Sequence, residues 1–244
     1  MKTKVWAHRG ASAYAPENTM EAFRLAAEQK ADGVELDVQF SKDGRLVVLH
    51  DETINRVSDG KGYVRDYTLE ELKRLHFNRT HPEYAEAKIP ELAEVYELLG
   101  PTGMEINVEI KTGIFFYPGI EEKLYGLEKQ MGMEGKIIYS SFNHYSVMKM
   151  KKLNPAARVG LLYGDGFCGV PEYAARLGAD ALHPALYNLQ YEGFLEDCRK
   201  HDLRVHVWTV DDEDTMRRLI DAGIDAIITN RPDVGRRIVD EMQG

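Results

Sequence analysis

The stretch "GVELDVQFSKDGRLVVLHDE", residues 33 to 52, decides how the chain is read. Glu35, Asp37 and Gln39 alternate with Val34, Leu36, Val38 and Phe40. Extended backbone turns successive side chains to opposite faces, so the polar groups share one face of a strand and the apolar ones the other. Asp43-Gly44 then signals a two-residue hairpin turn, and Leu46 to His50 forms the return. In a hairpin centred on those two residues, His50 pairs with Asp37 and lies on the same face. Two carboxylates and an imidazole are thereby expected on one side of a sheet.

Outside this stretch, strand-like runs recur at 4–8, 106–111, 136–141, 158–163, 179–183, 204–210 and 225–229. Helix-like stretches lie at 19–30, 68–75, 91–99, 119–131, 144–152, 171–177, 191–201, 212–222 and 232–242. Asn18 and Thr19 are candidate caps for the first, and Thr68 with Glu71 makes a capping box. Repeated βα alternation implies a parallel sheet covered by helices. Together with 33–40 and 46–50 there are nine runs, one too many for an eight-stranded barrel. The hairpin accounts for the surplus, because 46–50 is an antiparallel return rather than a barrel strand. The expected fold is therefore an α/β TIM (β/α)8 barrel with a β-hairpin return after its second strand. An open doubly wound sheet is the alternative, and the absence of GxGxxG or GxxxxGK[ST] after any strand counts against it. Residues 51–105 hold no strand-like run and read as a loop or cap insertion, at about 51–85, plus two helices. Residues 1–244 are read as one domain carrying that insertion.

Composition narrows the function. The 244 residues carry a net charge of −9, which argues against a nucleic-acid footprint. A phosphate ligand stays possible if local cations or a metal supply the attraction. Cys168 and Cys198 lack CxxC partners and read as reduced thiols. "MKTKVWA" lacks the apolar core of a secretory signal, and no run is long enough to span a membrane, so a cytoplasmic location without stable membrane insertion is expected.

"INVEIK" repeats the pattern of 33–40: Asn107, Glu109 and Lys111 share one face, with Ile106, Val108 and Ile110 on the other. Under a helix layer, such a polar face must point into a hydrated or metal-filled barrel centre. The first strand ends in His8-Arg9-Gly10, at the end where barrel active sites lie. Glu35, Asp37 and Glu109 suit a hard divalent cation, Mg²⁺ or Ca²⁺. His8 and His50 suit general acid and base catalysis, and Arg9 and Lys111 suit phosphate oxygens. Glu17 and Asn18 read equally well as turn and cap residues. His183 could line the pocket or be structural, His206 reads as core, and Phe115 to Tyr117 read as an apolar rim or as packing.

"AHRGASAYAPENTMEAF", "GVELDVQFSKDGRLVVLHDETINR", "INVEIK" and "VHVWTVDD…GIDAIITNRP" together resemble the glycerophosphodiester phosphodiesterase family of bacterial, cytosolic type, nearly end to end and in family order. The resemblance implies a metal-dependent barrel that cleaves glycerophosphodiesters to sn-glycerol 3-phosphate and an alcohol, within glycerol and lipid metabolism. It implies His8 and His50 as the acid/base pair, with Glu35, Asp37 and Glu109 as metal ligands. Arg9 and Lys111 become phosphate-binding groups and Trp208 a wall of the substrate pocket. It also favours attack by the neighbouring glycerol hydroxyl, through a cyclic phosphate, over direct attack by water. Three positions depart from the family pattern. Asp211 stands where Asn is usual after WTV, "PEL" where Pro-Thr-Leu is usual, and "TNRP" where Thr-Asp-x-Pro is usual. Asp211 bears on pocket polarity and so on the choice of alcohol. Alternatives on the same scaffold are a lysophospholipase D-like or phosphoinositol-type phosphodiesterase. A metal-dependent barrel lyase or isomerase would explain the carboxylates and Lys111, but not Arg9 with two histidines.

Overall fold

The computed structural model describes residues 2–244. Among them nine strands form one sheet: β1 (Lys4–His8), β2 (Gly33–Phe40), β3 (Leu46–Val48), β4 (Glu105–Ile110), β5 (Ile137–Ser141), β6 (Arg158–Tyr163), β7 (Ala181–Pro184), β8 (Arg204–Val207) and β9 (Ala226–Thr229). β1 pairs in parallel with both β2 and β9, which closes eight parallel strands into a ring. The open doubly wound alternative is thereby overturned. β3 lies outside the ring, antiparallel beside β2.

The helices are α1 (Met20–Glu28), α2 (Leu69–Arg74), α3 (Leu92–Leu99), α4 (Ile120–Gln130), α5 (His144–Leu153), α6 (Val170–Leu177), α7 (Phe194–Lys200), α8 (Glu213–Asp221) and α9 (Pro232–Gln243). Thr19, not Asn18, caps α1, accepting from the backbone of Ala22, and the Thr68/Glu71 capping box forms at α2. The apolar faces of β2 and β4, among them Leu36, Val38, Ile106 and Val108, are fully buried in the main core that also takes in residues of α1 and α3. Segment 49–89 builds a second, smaller cluster around Ile54, Val64, Leu72 and Ile89, which packs on Val47 of β3. Deep inside the ring, Trp6, Ile138, Ala226 and Ile228 form an apolar floor.

The hairpin register differs from the expected one by one residue. Val38 pairs with Val48, Gln39 with Val47 and Phe40 with Leu46. The turn takes in three residues rather than two. Ser41 N donates to Arg45 O at 3.0 Å, and Gly44 adopts φ +71°, the left-handed residue of a three-residue loop. Ser41 Oγ fixes this turn by donating to Asp43 Oδ1 at 2.6 Å. Leu49, whose N–H donates to Asp37 O at 2.9 Å, therefore lies beside Asp37. A straight continuation would carry His50 to the helix-facing side. The ladder instead ends at Val48, and Gln39 Nε2 donates to the carbonyls of Leu49, His50 and Asp51 at 2.9, 3.2 and 2.8 Å. That side chain holds the departing backbone so that His50 still lines the barrel mouth. The expected location holds, but the pairing argument for it does not.

The turn after β1 depends on Gly10. It adopts φ +81°, and a Cβ there would meet the Ala22 backbone at 2.7 Å. Gly10→Ala is expected to cost more than about 2 kcal/mol, since it adds a backbone overlap to the left-handed penalty. In a thermal melt followed by circular dichroism this lowers Tm by more than about 4 °C. An unchanged Tm would contradict the close approach of this turn to α1.

Candidate active site

Glu35 and Asp37 on β2 sit in register with Asn107 and Glu109 on β4. One oxygen from each of the three carboxylates lies within 4.8 Å of the others, and all three residues are buried. Carboxylates gathered this closely repel unless cations or protons intervene. Lys111 Nζ lies 2.9 Å from Glu109 Oε1 and 3.8 Å from Asp37 Oδ1, and Arg9 Nε lies 3.6 Å from Asp37 Oδ2. Asn18 Nδ2 donates to Asp37 Oδ2 at 2.8 Å, a role beyond the turn chemistry read from sequence. The ionisations are split accordingly. Burial pushes Asp37 up, but Arg9 and then Lys111 outweigh it and hold the carboxyl well below the usual range. Burial pushes Glu35 well up, with the charges of Asp37 and Glu109 adding to it. Glu109 is also raised by burial, against the pull of Lys111.

Asp37 Oδ1 and both polar atoms of Asn107 are buried without a hydrogen-bond partner. Buried polar atoms are nearly always satisfied, so this cluster has spare coordinating oxygens. All-oxygen donors of this kind match a hard divalent cation such as Mg²⁺ or Ca²⁺. The residues present fit that group.

Two histidines flank the carboxylates. His8 closes β1, with Nδ1 2.7 Å from Asn230 Oδ1 and Nε2 4.0 Å from Glu35 Oε2. Burial lowers its pKa to about 4, and the adjacent Arg9 charge adds to the effect, so the ring is neutral at physiological pH. His50 Nδ1 lies 2.7 Å from Asp51 Oδ1. Asp51 also accepts from Arg56 Nε at 2.8 Å, and Arg56 donates to both oxygens of Glu17 at 2.6 and 2.8 Å. Glu17 in turn accepts from Arg9 Nη1 at 2.9 Å. Polar contacts thus run unbroken from His50 to the Asp37 side of the carboxylates. Each Nδ1 is tied to a fixed oxygen, which leaves Nε2 of each ring available for proton transfer. Arg9 holds φ +56° and Asn18 φ +57°, an uncommon conformation for such residues. Arg9 N donates to Glu35 O at 2.9 Å and Asn18 N to Arg9 O at 2.9 Å, which holds both in place.

A cavity of about 140 Å³ opens here, lined by His8, Arg9, Glu35, His50, Asn107 and Glu109 and walled by Phe142, Leu162 and Trp208. Trp208 Nε1 donates to His183 O at 2.8 Å, and its ring meets Phe142 edge to face at 5.6 Å. Lys111 joins the site through Glu109 and Asp37 instead of lining the cavity. His183 does not line it either: the ring is fully buried and pairs with His206 at 2.8 Å beside Trp6, so both are core. The 115–117 stretch divides. Tyr117 is buried and donates to Gln39 Oε1 at 3.0 Å, while Phe116 is 74% exposed. A larger cavity of about 610 Å³ lies beside α6, lined by His144, Tyr163, Phe167 and Tyr173, with Glu172 as its one carboxylate. Cys168 and Arg176 also line it, and none of the three clustered carboxylates does.

Sequence reasoning gave Asp51 and Arg56 no role, met Asn230 only within the TNRP departure, and read Glu17 and Asn18 equally well as turn residues. Each acts by holding another residue, and pairing across distant loops leaves no local spacing to read. The one signal available was that they fall inside the quoted motifs.

Residues 8–234 match the model of the glycerophosphoryl diester phosphodiesterase family. A glycerophosphodiester phosphodiesterase of Caldanaerobacter subterraneus subsp. tengcongensis is 48% identical, with 96% of each chain covered. One from Bacillus altitudinis is 39% identical over 99% of this chain and 100% of its own. Among solved structures, an Oleispira antarctica phosphodiesterase in complex with the product sn-glycerol-3-phosphate superposes with a TM-score of 0.87 at 29% identity, covering 98% of this chain and 97% of its own. The glycerophosphodiester phosphodiesterase of Thermotoga maritima gives 0.79 at 30% identity, covering 98% and 99%. With the barrel, the carboxylate cluster and these matches in agreement, the chain belongs to the glycerophosphoryl diester phosphodiesterase family.

Proposed function

We propose that this enzyme hydrolyses glycerophosphodiesters to sn-glycerol 3-phosphate and an alcohol, using one divalent cation, Mg²⁺ or Ca²⁺, held by Glu35, Asp37 and Glu109. The observation that carries the reading is the pair of imidazoles, each oriented through Nδ1, beside three buried carboxylates and two cationic side chains. When bound, the cation supplies Lewis-acid stabilisation of a phosphate oxygen. Arg9 and Lys111, now paired with the carboxylates, turn to the remaining phosphate oxygens. Neutral His8 takes the proton of the glycerol hydroxyl next to the ester, and that oxygen attacks phosphorus. His50 protonates the departing alcohol. The roles then reverse as water opens the cyclic phosphate. Intramolecular attack gains a large effective molarity and uses both rings symmetrically. Trp208 walls the pocket. The chain works as one barrel domain with its insertion at about 51–85, on a small-molecule substrate in the cytoplasm and not on nucleic acid.

The test is a panel of glycerophosphodiesters with released glycerol 3-phosphate as readout, including an analogue in which the neighbouring hydroxyl is replaced by hydrogen. Turnover of the parent compounds with binding but no cleavage of the analogue is expected. No glycerol 3-phosphate from any member would overturn the reading, and undiminished cleavage of the analogue would leave direct attack by water.

A second reading, hydrolysis of lysophospholipids, is favoured by one feature. Ile114, Phe116, Phe142, Tyr145, Phe167, Tyr187 and Tyr191 are exposed, and all lie on the segments that follow β4 to β7, around half the rim of the active-site face. No helix among the described residues is long and apolar enough to cross a membrane, so any lipid contact would be at a surface. Faster turnover of lysophosphatidylcholine than of glycerophosphocholine would make this the better reading.

A further inference from the structure

His8 Nδ1 meets Asn230 Oδ1 at 2.7 Å, and the orientation of that amide is not its own choice. Asn230 Nδ2 lies 2.6 Å from Asp211 Oδ2, and the other Asp211 oxygen accepts from Asn230 N at 2.8 Å and Thr229 Oγ1 at 2.9 Å. A carboxylate accepts only, so the amide must turn its NH₂ to Asp211 and its oxygen to His8. An amide oxygen also accepts only, so the proton of the neutral ring must sit on Nδ1, leaving a lone pair on Nε2. Ser12 Oγ, 2.7 Å from both Asn230 Oδ1 and His8 O, can give its one proton to either and does not disturb this order.

Resting on the acid–base reading of His8, we propose that Asp211 and Asn230 are positioning residues that together set the tautomer of His8. Asp211 acts at one remove, through the amide. Its carboxylate accepts from Thr229 and from both the backbone and side chain of Asn230.

The polarity of this chain predicts an unusual mutational pattern. In Asp211→Asn the new side chain keeps an oxygen for the Asn230 and Thr229 donors and turns an NH₂ toward the NH₂ of Asn230. Donor then faces donor. Turning the Asn230 amide over relieves the clash but offers NH₂ to His8, which must accept at Nδ1 and carry its proton on Nε2. The nitrogen that has to take a proton is then already occupied. Asn230→Asp alone sets two carboxylates against each other. Exchanging both residues restores the order: a carboxylate at 230 accepts from His8 and from the amide at 211.

The experiment measures kcat and KM on glycerophosphocholine for wild type, Asp211→Asn, Asn230→Asp and the double exchange, with circular dichroism to confirm folding. The His8 tautomer is read in parallel from imidazole ¹⁵N shifts at about pH 8, where the neutral ring prevails. Asp211→Asn is expected to lose about 10-fold or more in kcat with KM little changed, and to move the His8 proton to Nε2. The double exchange is expected to regain at least about 10-fold over the worse single variant. Wild-type kcat in Asp211→Asn, an unmoved proton, or a double exchange no better than either single would each overturn the proposal. Should wild type release no glycerol 3-phosphate from any member of the glycerophosphodiester panel, the proposed hydrolysis fails, and the tautomer comparison still decides the role of the pair.

Discussion

His50→Ala is expected to lower kcat by at least about 10²-fold, the scale of a lost general acid or base. His50 stands at the cavity, its Nδ1 held by Asp51, and is one of the two imidazoles placed there. In the proposed mechanism His8 takes a proton, which leaves His50 to give one. Stability should barely change. The side chain is 33% exposed, and Asp51 keeps its bonds to Arg56 when the ring is removed. Surface-type substitutions of this kind stay within about 0.5 kcal/mol. Melting curves and steady-state kinetics on the same preparation separate the two effects. Near wild-type kcat would remove His50 from the mechanism.

Much of this arrangement was legible in residues 33–52 and 106–111, because period-2 alternation reports faces directly. Two strands with all-polar inner faces under a helix layer could only close around a polar centre, and that centre is where Glu35, Asp37 and Glu109 meet. The register of the hairpin was misread for an identifiable reason. Asp43-Gly44 also fits a three-residue turn, and the choice is made by Ser41, whose hydroxyl bonds to Asp43. His50 reached its place by a different route, through Gln39 holding the carbonyls of residues 49 to 51. His183 sits at a strand end just before Pro184, where pocket-lining and structural histidines look alike in sequence. Its depth in the ring, one layer below the mouth and beside His206, is a property of barrel stagger that spacing along one strand does not encode. Asp211 and Asn230 were two unrelated departures in sequence. In the structure they are bonded to each other at 2.6 Å, nineteen positions apart in the chain.

The largest effect expected concerns the cation. Without it, three carboxylates share one buried space, and the structure holds them there with Arg9 and Lys111. In the proposed mechanism those side chains bind phosphate, so loss of the cation is expected to remove two functions together. The pH dependence has a definite sign. Glu35 is raised well above its ordinary value, so the cation-free folded chain keeps a proton there at a pH where the unfolded chain has lost it. This contribution to stability therefore falls as pH rises through that range. Binding the cation expels the proton and removes the penalty, so affinity should weaken as pH falls through the same range. Mg²⁺ or Ca²⁺ is expected to raise Tm more at about pH 7 than at about pH 5, since stabilisation by a ligand grows with its affinity.

The direct measurement is release of glycerol 3-phosphate from glycerophosphocholine by protein dialysed exhaustively against chelator, before and after adding back Mg²⁺ or Ca²⁺. Turnover at background in chelator and recovered with the added cation is the predicted result. Full turnover in excess chelator would contradict a cation held by Glu35, Asp37 and Glu109, and with it the division of labour assigned to this site.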